Sequence, residues 1–344
     1  MTTSTLVSQF ELLAAIPETE QERVALAEPR PRVVAIGGGH GLAVTLKALQ
    51  KYAGSITAVV SVADDGGSSG RLKEGLGIPP PGDIRRCLLA LTPDSSLFSE
   101  LFEYRFAQAD VGGHALGNLI LAAFADLLGS FEAAVLAAGG LLGAVGAVVP
   151  AADRATHLTA VVGGRRVAGQ GAITQARGGV ESLTIGPPEA VAPPRAVESI
   201  RRADQVVIGP GSLFTSVMAV LLVPGLAEAV RESEGEKIFV LNLIDQDGET
   251  LGLTGEDHLE RMASLVGVTG PGTVIAHHGA VEVPDGHQAV TLAVDGPVAH
   301  QWRLVPADVA IDGSGWPEHD PAKLGATLEN LWRQSPGFLA NGDR

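Results

Sequence analysis

The sequence predicts an α/β fold: a parallel sheet with helices on both faces and a small antiparallel β insertion. Three observations carry that expectation. The β-branched run RVVAI, from Arg32, breaks at GGGHG and resumes as the apolar-periodic LAVTLKALQKY, after which SITAVVSVA supplies a second strand. Strand, glycine loop, helix and strand in that order form a βαβ unit, whose crossover should be right-handed. The same theme returns in QVVIGPGSLFTSVMAVLL, as strand, Gly-Pro-Gly turn and helix. Between about 151 and 190, THLTAVV, ARGGVESLTIG and their neighbours read as short antiparallel strands.

The remaining elements follow in order. Residues 1–30 are acidic, offer STLVSQFELLAAI and QERVALAE as short helices, and end in PRPR; they read as an appended, partly disordered arm before a single domain over 31–340. VSVADDGGSSGRL, Val60 to Leu72, ends a strand in two carboxylates and five nearly side-chainless residues closed by an arginine. That is longer than a four-residue turn, and it reads as a mobile loop that wraps a ligand with its backbone. GIPPPGDIRRCLLAL is a rigid proline loop and then a helix, with Asp83 placed to cap it. LFSELFEYRF is helical, and GGHALGNLILAAFADLL is a glycine-rich loop opening a longer helix. Ala133 to Pro150 runs 18 residues without a charge and barely meets the length of a membrane span. Its Gly-Gly pair and Pro150 favour a buried helix followed by a buried strand, so no membrane span is expected. PPRAVESIRRA is a helix, KIFVLNLID a strand, GTVIAHH the last long strand, and HDPAKLGATLENLW a closing helix.

The chain has 344 residues and a formal net charge of −15, which argues against a nucleic-acid partner, since such binders carry a basic footprint. It fits a cytoplasmic protein in which any anionic ligand is held locally. The 44 glycines cluster beside apolar runs, as ligand loops and strand–helix turns do. Cys87 is the only cysteine, so no intrachain disulfide is possible, and its place in CLLAL reads as a buried small residue.

The chemistry-bearing stretches point to an anion. Gly37, Gly38, Gly39, His40 and Gly41 join strand to helix, where glycines admit a ligand to the backbone and the helix start offers N–H groups to phosphate. The dinucleotide fingerprint fails, because the sixth position from Gly37 is Leu42. His40 either touches a phosphate or is solvated. Asp64 and Asp65 sit where a Rossmann fold places its ribose-binding acid. Successive strand residues face opposite ways; one carboxylate would meet sugar or base hydroxyls, and the other would hold the loop or bind a metal. Arg71, Arg85, Arg86 and Arg105 are anion clamps. His114 and Asn118 lie four apart at a helix start, and Gly209, Gly211 and Ser212 form a second strand-to-helix anion loop. No metalloprotease, Walker-type or hydrolase-elbow pattern is present, and no catalytic residue is identified.

Taken in order, GGGHGL, VADDGGSSGRL, PPGDIR, YRF, GHALGNL, GPGSLFTSV and NLIDQDGET resemble the YvcK family of gluconeogenesis factors, relatives of the CofD phospholactyl transferases. The resemblance covers about Arg32 to the C-terminal helix. It implies a Rossmann-like domain that binds UDP-sugars, notably UDP-N-acetylglucosamine, with NAD proposed for some members. It also implies a role in cell shape and cell-wall precursor control on gluconeogenic carbon sources. Carried over by position, the ligand should meet the Gly37–Gly41 loop, Asp64, Asp65, Ser68, Ser69, Gly82, Asp83, His114, Asn118 and the Gly209–Ser212 loop. His40 stands where many members have threonine, Arg86 where many have asparagine, and IDQDGET replaces a more typical MTQPGET; the C-terminal region is shortened. A regulatory nucleotide-sugar binder is the leading expectation, with no fixed cofactor and with a homodimer left open. A phospholactyl transferase acting on a deazaflavin alcohol, using magnesium at Asp64 or Asp65, comes next, and an NAD-dependent oxidoreductase third.

Overall fold

The structure is a computed structural model that describes residues 29–342, except 94–95, 109–110, 177, 294–300 and 314. The expected N-terminal arm lies outside the described residues but for its last two, of which Pro29 accepts a hydrogen bond at its carbonyl from Trp332 Nε1 (2.9 Å).

Seven strands form one sheet in which every neighbouring pair is parallel: β1 (Arg32–Gly37), β2 (Ser55–Val60), β3 (Ala147–Pro150), β7 (Gln205–Ile208), β8 (Glu236–Val240), β9 (Gly272–His277) and β10 (Trp302–Ala307). Their order is β10-β9-β8-β7-β1-β2-β3. The chain builds outward from β1 in one direction and from β7 in the other, so the order reverses between β1 and β7. In open α/β sheets the crevice at the carboxyl ends of such a pair is where ligands bind.

The run RVVAI explains why this sheet is central. Val33 and Ala35 enter one hydrophobic cluster, and Val34 and Ile36 enter the other. A strand buried on both faces reads as a continuous apolar run rather than an alternation. On the first face lie α1 (Gly39–Leu49), α3 (Gly82–Ala90), α4 (Leu97–Glu103), α5 (Leu116–Leu128), α6 (Phe131–Leu142) and α11 (Pro321–Arg333), represented by Leu46, Leu88, Phe102, Leu121, Ala134 and Leu328. On the second lie α8 (Pro194–Arg201), the Leu213–Leu221 helix, α9 (Leu226–Glu232) and α10 (Gly255–Val266), with Ile200, Met218, Leu226 and Met262. The insertion between β3 and β7 is an antiparallel sheet ordered β5-β4-β6, from β4 (His157–Val162), β5 (Arg165–Ala168) and β6 (Val180–Gly186), with α7 (Gln170–Gln175) packed on it.

The uncharged stretch is a helix and a strand, α6 and β3, as expected. No single helix among the described residues is long and apolar enough to cross a membrane. Cys87 is fully buried.

Three expectations are corrected. The glycine–serine stretch after β2 is no wrapping loop: after a bend at Gly66 it forms α2 (Gly67–Leu76). The Asp64 carboxylate captures Gly66 N–H (2.9 Å), and Gly70 N–H donates to the Gly66 carbonyl (3.0 Å), which starts the helix despite its composition. GTVIAHH, which forms β9, is not the last strand, because β10 extends the sheet by one more parallel pairing of six residues. HDPAKLGATLENLW is not the last helix; α12 (Pro336–Gly342) follows it.

Candidate functional site

The two glycine loops meet at the β1/β7 crevice and lock together. A Cβ on Gly41 would lie 2.3 Å from the Pro210 carbonyl oxygen, so the close approach of the loops demands glycine there. Thr45 Oγ1 donates to the Gly209 carbonyl (3.0 Å). Asn242, just beyond β8, accepts from Gly211 N–H at Oδ1 (2.9 Å) and donates from Nδ2 to the Gly211 carbonyl (3.0 Å). Gly39 has a different reason: its φ is +63°, and a Cβ there would meet nothing within 4 Å. Gly37 closes β1, and His40 is exposed, with Nε2 3.9 Å from Glu318 Oε2.

Each helix that leaves these loops starts on one of the chain's own carboxylates. Gly39 N–H donates to Asp83 Oδ2 (2.7 Å). Phe214 N–H and Thr215 N–H donate to Glu249 Oε2 (3.2 and 3.4 Å), and the Thr215 hydroxyl donates to Oε1. Burial raises the pKa of both carboxyls, opposed for Asp83 chiefly by Arg86 and the Gly39 N–H, and for Glu249 by its hydroxyl and N–H donors. A helix start attracts negative charge, and here internal carboxylates already supply it. The expectation that Asp83 caps its own helix is therefore corrected: α3 has no side-chain cap, and Asp83 caps α1. Gly38 opens the way, since a Cβ there would come within 2.8 Å of Asp83 Oδ2. Ser212 shares its side chain's hydrogen bonding with Glu249.

The neighbouring aspartates diverge, although both lie past the end of β2 and strand alternation does not reach them. Asp64 turns onto Gly66, and its charge helps raise the Asp83 carboxyl. Asp65 Oδ1 accepts from Gly171 N–H (3.0 Å) at the start of α7, which ties the end of β2 to the insertion. Among the described residues no three His, Cys, Asp or Glu side chains are grouped to hold a metal. Ser68 and Ser69 fall in the first turn of α2.

Next to Asp83 the structure gathers cations. Arg71 donates from Nε to His114 Nε2 (3.2 Å) and from Nη2 to the Gly112 carbonyl (2.9 Å), and Arg105 Nη1 donates to the Gly113 carbonyl (2.7 Å). Burial, then the Arg71 and Arg105 charges, lower the His114 pKa, so its imidazole is neutral and accepts at Nε2. Asn118 is buried in the first turn of α5. Arg86 pairs with Asp83 (3.0 Å). Arg85, on α3 just after Gly82 and Asp83, is different: it is only 7% exposed, and its Nε has no hydrogen-bond partner. Burial first, then Arg86 and Arg105, lower its pKa, while Glu103 and Asp83 pull the other way.

A cavity of about 180 Å³ opens beside the two loops, lined by His40, Gly41, Pro210, Gly211, Asn242, Gln246, Trp316 and Glu318 among others. Sequence reasoning missed Asn242, Gln246, Glu249 and Trp316. Asn242 carried a usable signal, an amide inside the apolar run FVLNLI at a strand's carboxyl end. Trp316 carried none.

A model of the 2-phospho-L-lactate transferase CofD family matches residues 33–304. A gluconeogenesis factor of Halalkalibacterium halodurans is 41% identical over 250 residues, covering 72% of this chain and 78% of its own. A gluconeogenesis factor of Bacillus subtilis is 40% identical over 258 residues, covering 74% and 81%. The crystal structure of a UPF0052-family protein from Bacillus halodurans superposes with a TM-score of 0.82 at 35% identity, over 86% of this chain and 98% of that one. The order of the glycine, aspartate and arginine blocks, the doubly wound sheet and these matches together make the chain a member of the CofD-related YvcK family of gluconeogenesis factors.

Proposed function

We propose that the protein binds a nucleoside-diphosphate sugar of the UDP-N-acetylglucosamine type at the β1/β7 crevice and acts as a cytoplasmic regulator of cell-wall precursor supply and cell shape during gluconeogenic growth. The observation that carries the reading is Arg85: a buried guanidinium without a partner at Nε, with Arg86 and Arg105 among its nearest charges, in a chain of net charge −15. A buried, uncompensated charge is costly, and an anionic ligand is what would compensate it. The diphosphate would lie on the Arg85 side of the Gly38–Gly39 backbone, sharing or displacing Asp83. His114, beside Arg71 and Arg105, and Asn118, buried in the first turn of α5, suit sugar hydroxyls.

A second reading is a CofD-type group transfer. It is favoured by the like-charge influence of Asp64 on Asp83, since two carboxylates plus ligand phosphates are a common magnesium environment. Asp65 does not share in that pair. Calorimetric titration with UDP-N-acetylglucosamine, NAD and GDP, each with and without magnesium, separates the readings. Magnesium-independent binding of the UDP-sugar supports the regulator, and binding only with magnesium supports the transferase. The nucleotide-sugar reading is overturned if the UDP-sugar fails to bind in either condition.

A further inference from the structure

We infer that the cavity beside Trp316 seats the nucleobase, with the indole as stacking face and the Gln246 carboxamide reading the base edge; this deepens the nucleotide reading above and rests on it. The volume, about 180 Å³, falls below the ~300–1,000 Å³ of sites that enclose whole drug-sized ligands, and it suits one ring system.

Trp316 is 51% exposed, whereas Trp302 and Trp332 are 4% and 6% exposed. It is nevertheless a fixed ring. Its indole stands edge-to-face on His287, with centroids 5.4 Å apart. His287 Nδ1 lies 3.0 Å from Asp245 Oδ1. Asp245 is 1% exposed and also accepts from Gly252 N–H (2.8 Å) and Gln288 N–H (3.0 Å), so the shelf under the indole is anchored in the interior. An aromatic face held rigid and left open is what a base stacks on.

Gln246 follows Asp245 on the same shelf, and its backbone N–H is fixed by Thr250 Oγ1 (3.0 Å). Its carboxamide makes no hydrogen bond among the described residues, and Oε1 is buried without a partner. The other amide of the cavity, Asn242, is committed to Gly211. A carboxamide offers a donor and an acceptor side by side, the complement of the adjacent donor and acceptor on a base edge. The charge of the walls agrees. His319, buried and donating from Nε2 to the Leu241 carbonyl, is neutral because burial pushes its pKa down to about 4, and Glu318 is an acid. Such walls repel phosphate and accept a neutral ring. Gly41 lines this cavity while Gly38 and Gly39 abut Asp83, the partner of Arg86, so a nucleotide laid along that loop would put its base here and its phosphates toward the arginines.

The test uses the full chain and two probes, UDP and inorganic pyrophosphate, read by calorimetry and tryptophan fluorescence. UDP should change the fluorescence with the calorimetric midpoint. Trp316→Ala should weaken UDP roughly 5- to 150-fold, the range that loss of one base–aromatic stack gives, while Trp316→Phe stays within about threefold of the parent. Gln246→Ala should weaken UDP as well, and pyrophosphate should bind all four proteins alike. If UDP binds the parent and Trp316→Ala equally, the base sits elsewhere and the inference falls while the nucleotide reading stands. The inference also falls if the two probes weaken together. If the parent binds neither UDP nor UDP-N-acetylglucosamine, both fall.

Discussion

Replacing Arg85 with methionine should make the unliganded protein more stable and weaken its anion binding. The side chain is 7% exposed, and Nε lacks an acceptor. A buried unsatisfied donor costs about 1–3 kcal/mol, and exchanging buried charge for apolar volume has stabilised other proteins by about 1–4 kcal/mol. The neighbours argue for the same sign: Arg86 and Arg105 repel the guanidinium more than Glu103 and Asp83 attract it. The expected gain is therefore about 1–3 kcal/mol, offset in part by the hydrogen-bonding capacity that the outer guanidinium nitrogens lose. Binding moves the other way. Loss of one charge-assisted hydrogen bond is worth about 1.5–3 kcal/mol, roughly 10- to 150-fold in affinity for UDP-N-acetylglucosamine. Arg85→Lys keeps the charge without the planar fork and should fall between. Urea unfolding of the apo proteins gives the first quantity, and calorimetry gives the second. If Arg85→Met is less stable than the parent by more than about 1 kcal/mol, Arg85 is a structural residue that its surroundings already satisfy, and the argument from an unpaired charge fails.

Further expectations concern the loops and the pH response. Gly41→Ala should cost about 1–3 kcal/mol by forcing Cβ against the Pro210 carbonyl, and Gly39→Ala only about 1 kcal/mol from its positive φ; thermal unfolding that ranks them the other way contradicts the packing account. Asp65→Ala should speed amide exchange over α7, and Asp64→Ala over Gly66–Gly70; exchange at α7 that ignores Asp65→Ala would show the insertion to be held without it. His319 is neutral in the folded protein down to about pH 4, whereas the unfolded chain protonates it near its ordinary 6.5. The unfolded state thus binds more protons between those values, and stability falls as pH drops from 6.5 to about 4, by up to on the order of 3 kcal/mol. Asp83 and Glu249, with raised carboxyls, bias the acid response the opposite way. His319→Asn should flatten the measured slope of unfolding free energy over that window, and an unchanged slope would assign it to other groups.

What the sequence determined by itself was whatever local chain chemistry controls. The β-branched runs fixed strands buried on both faces, the glycine junctions fixed where each strand hands over to a helix, and the alternation in HLTAVV marked the insertion. From these the parallel sheet followed, and with it the expectation of a site at its carboxyl ends. What only tertiary structure decided was pairing. Asp83 reaches Gly39 across 44 residues, Glu249 reaches Phe214 across 35, and Asp65 reaches Gly171 across 106. Composition supplies an inventory of donors and acceptors, but a hydrogen bond exists only within about 3 Å, and packing between distant elements sets that distance. The same reason hid α2, whose Gly-Ser composition favours a loop until Asp64 binds Gly66 and Gly70 seats against the Asp65 carbonyl, where a Cβ would come within 2.2 Å. It also hid the bare Arg85 and the open Trp316, since the lack of a partner at a side chain is a property of its surroundings and has no counterpart in the residue's own identity.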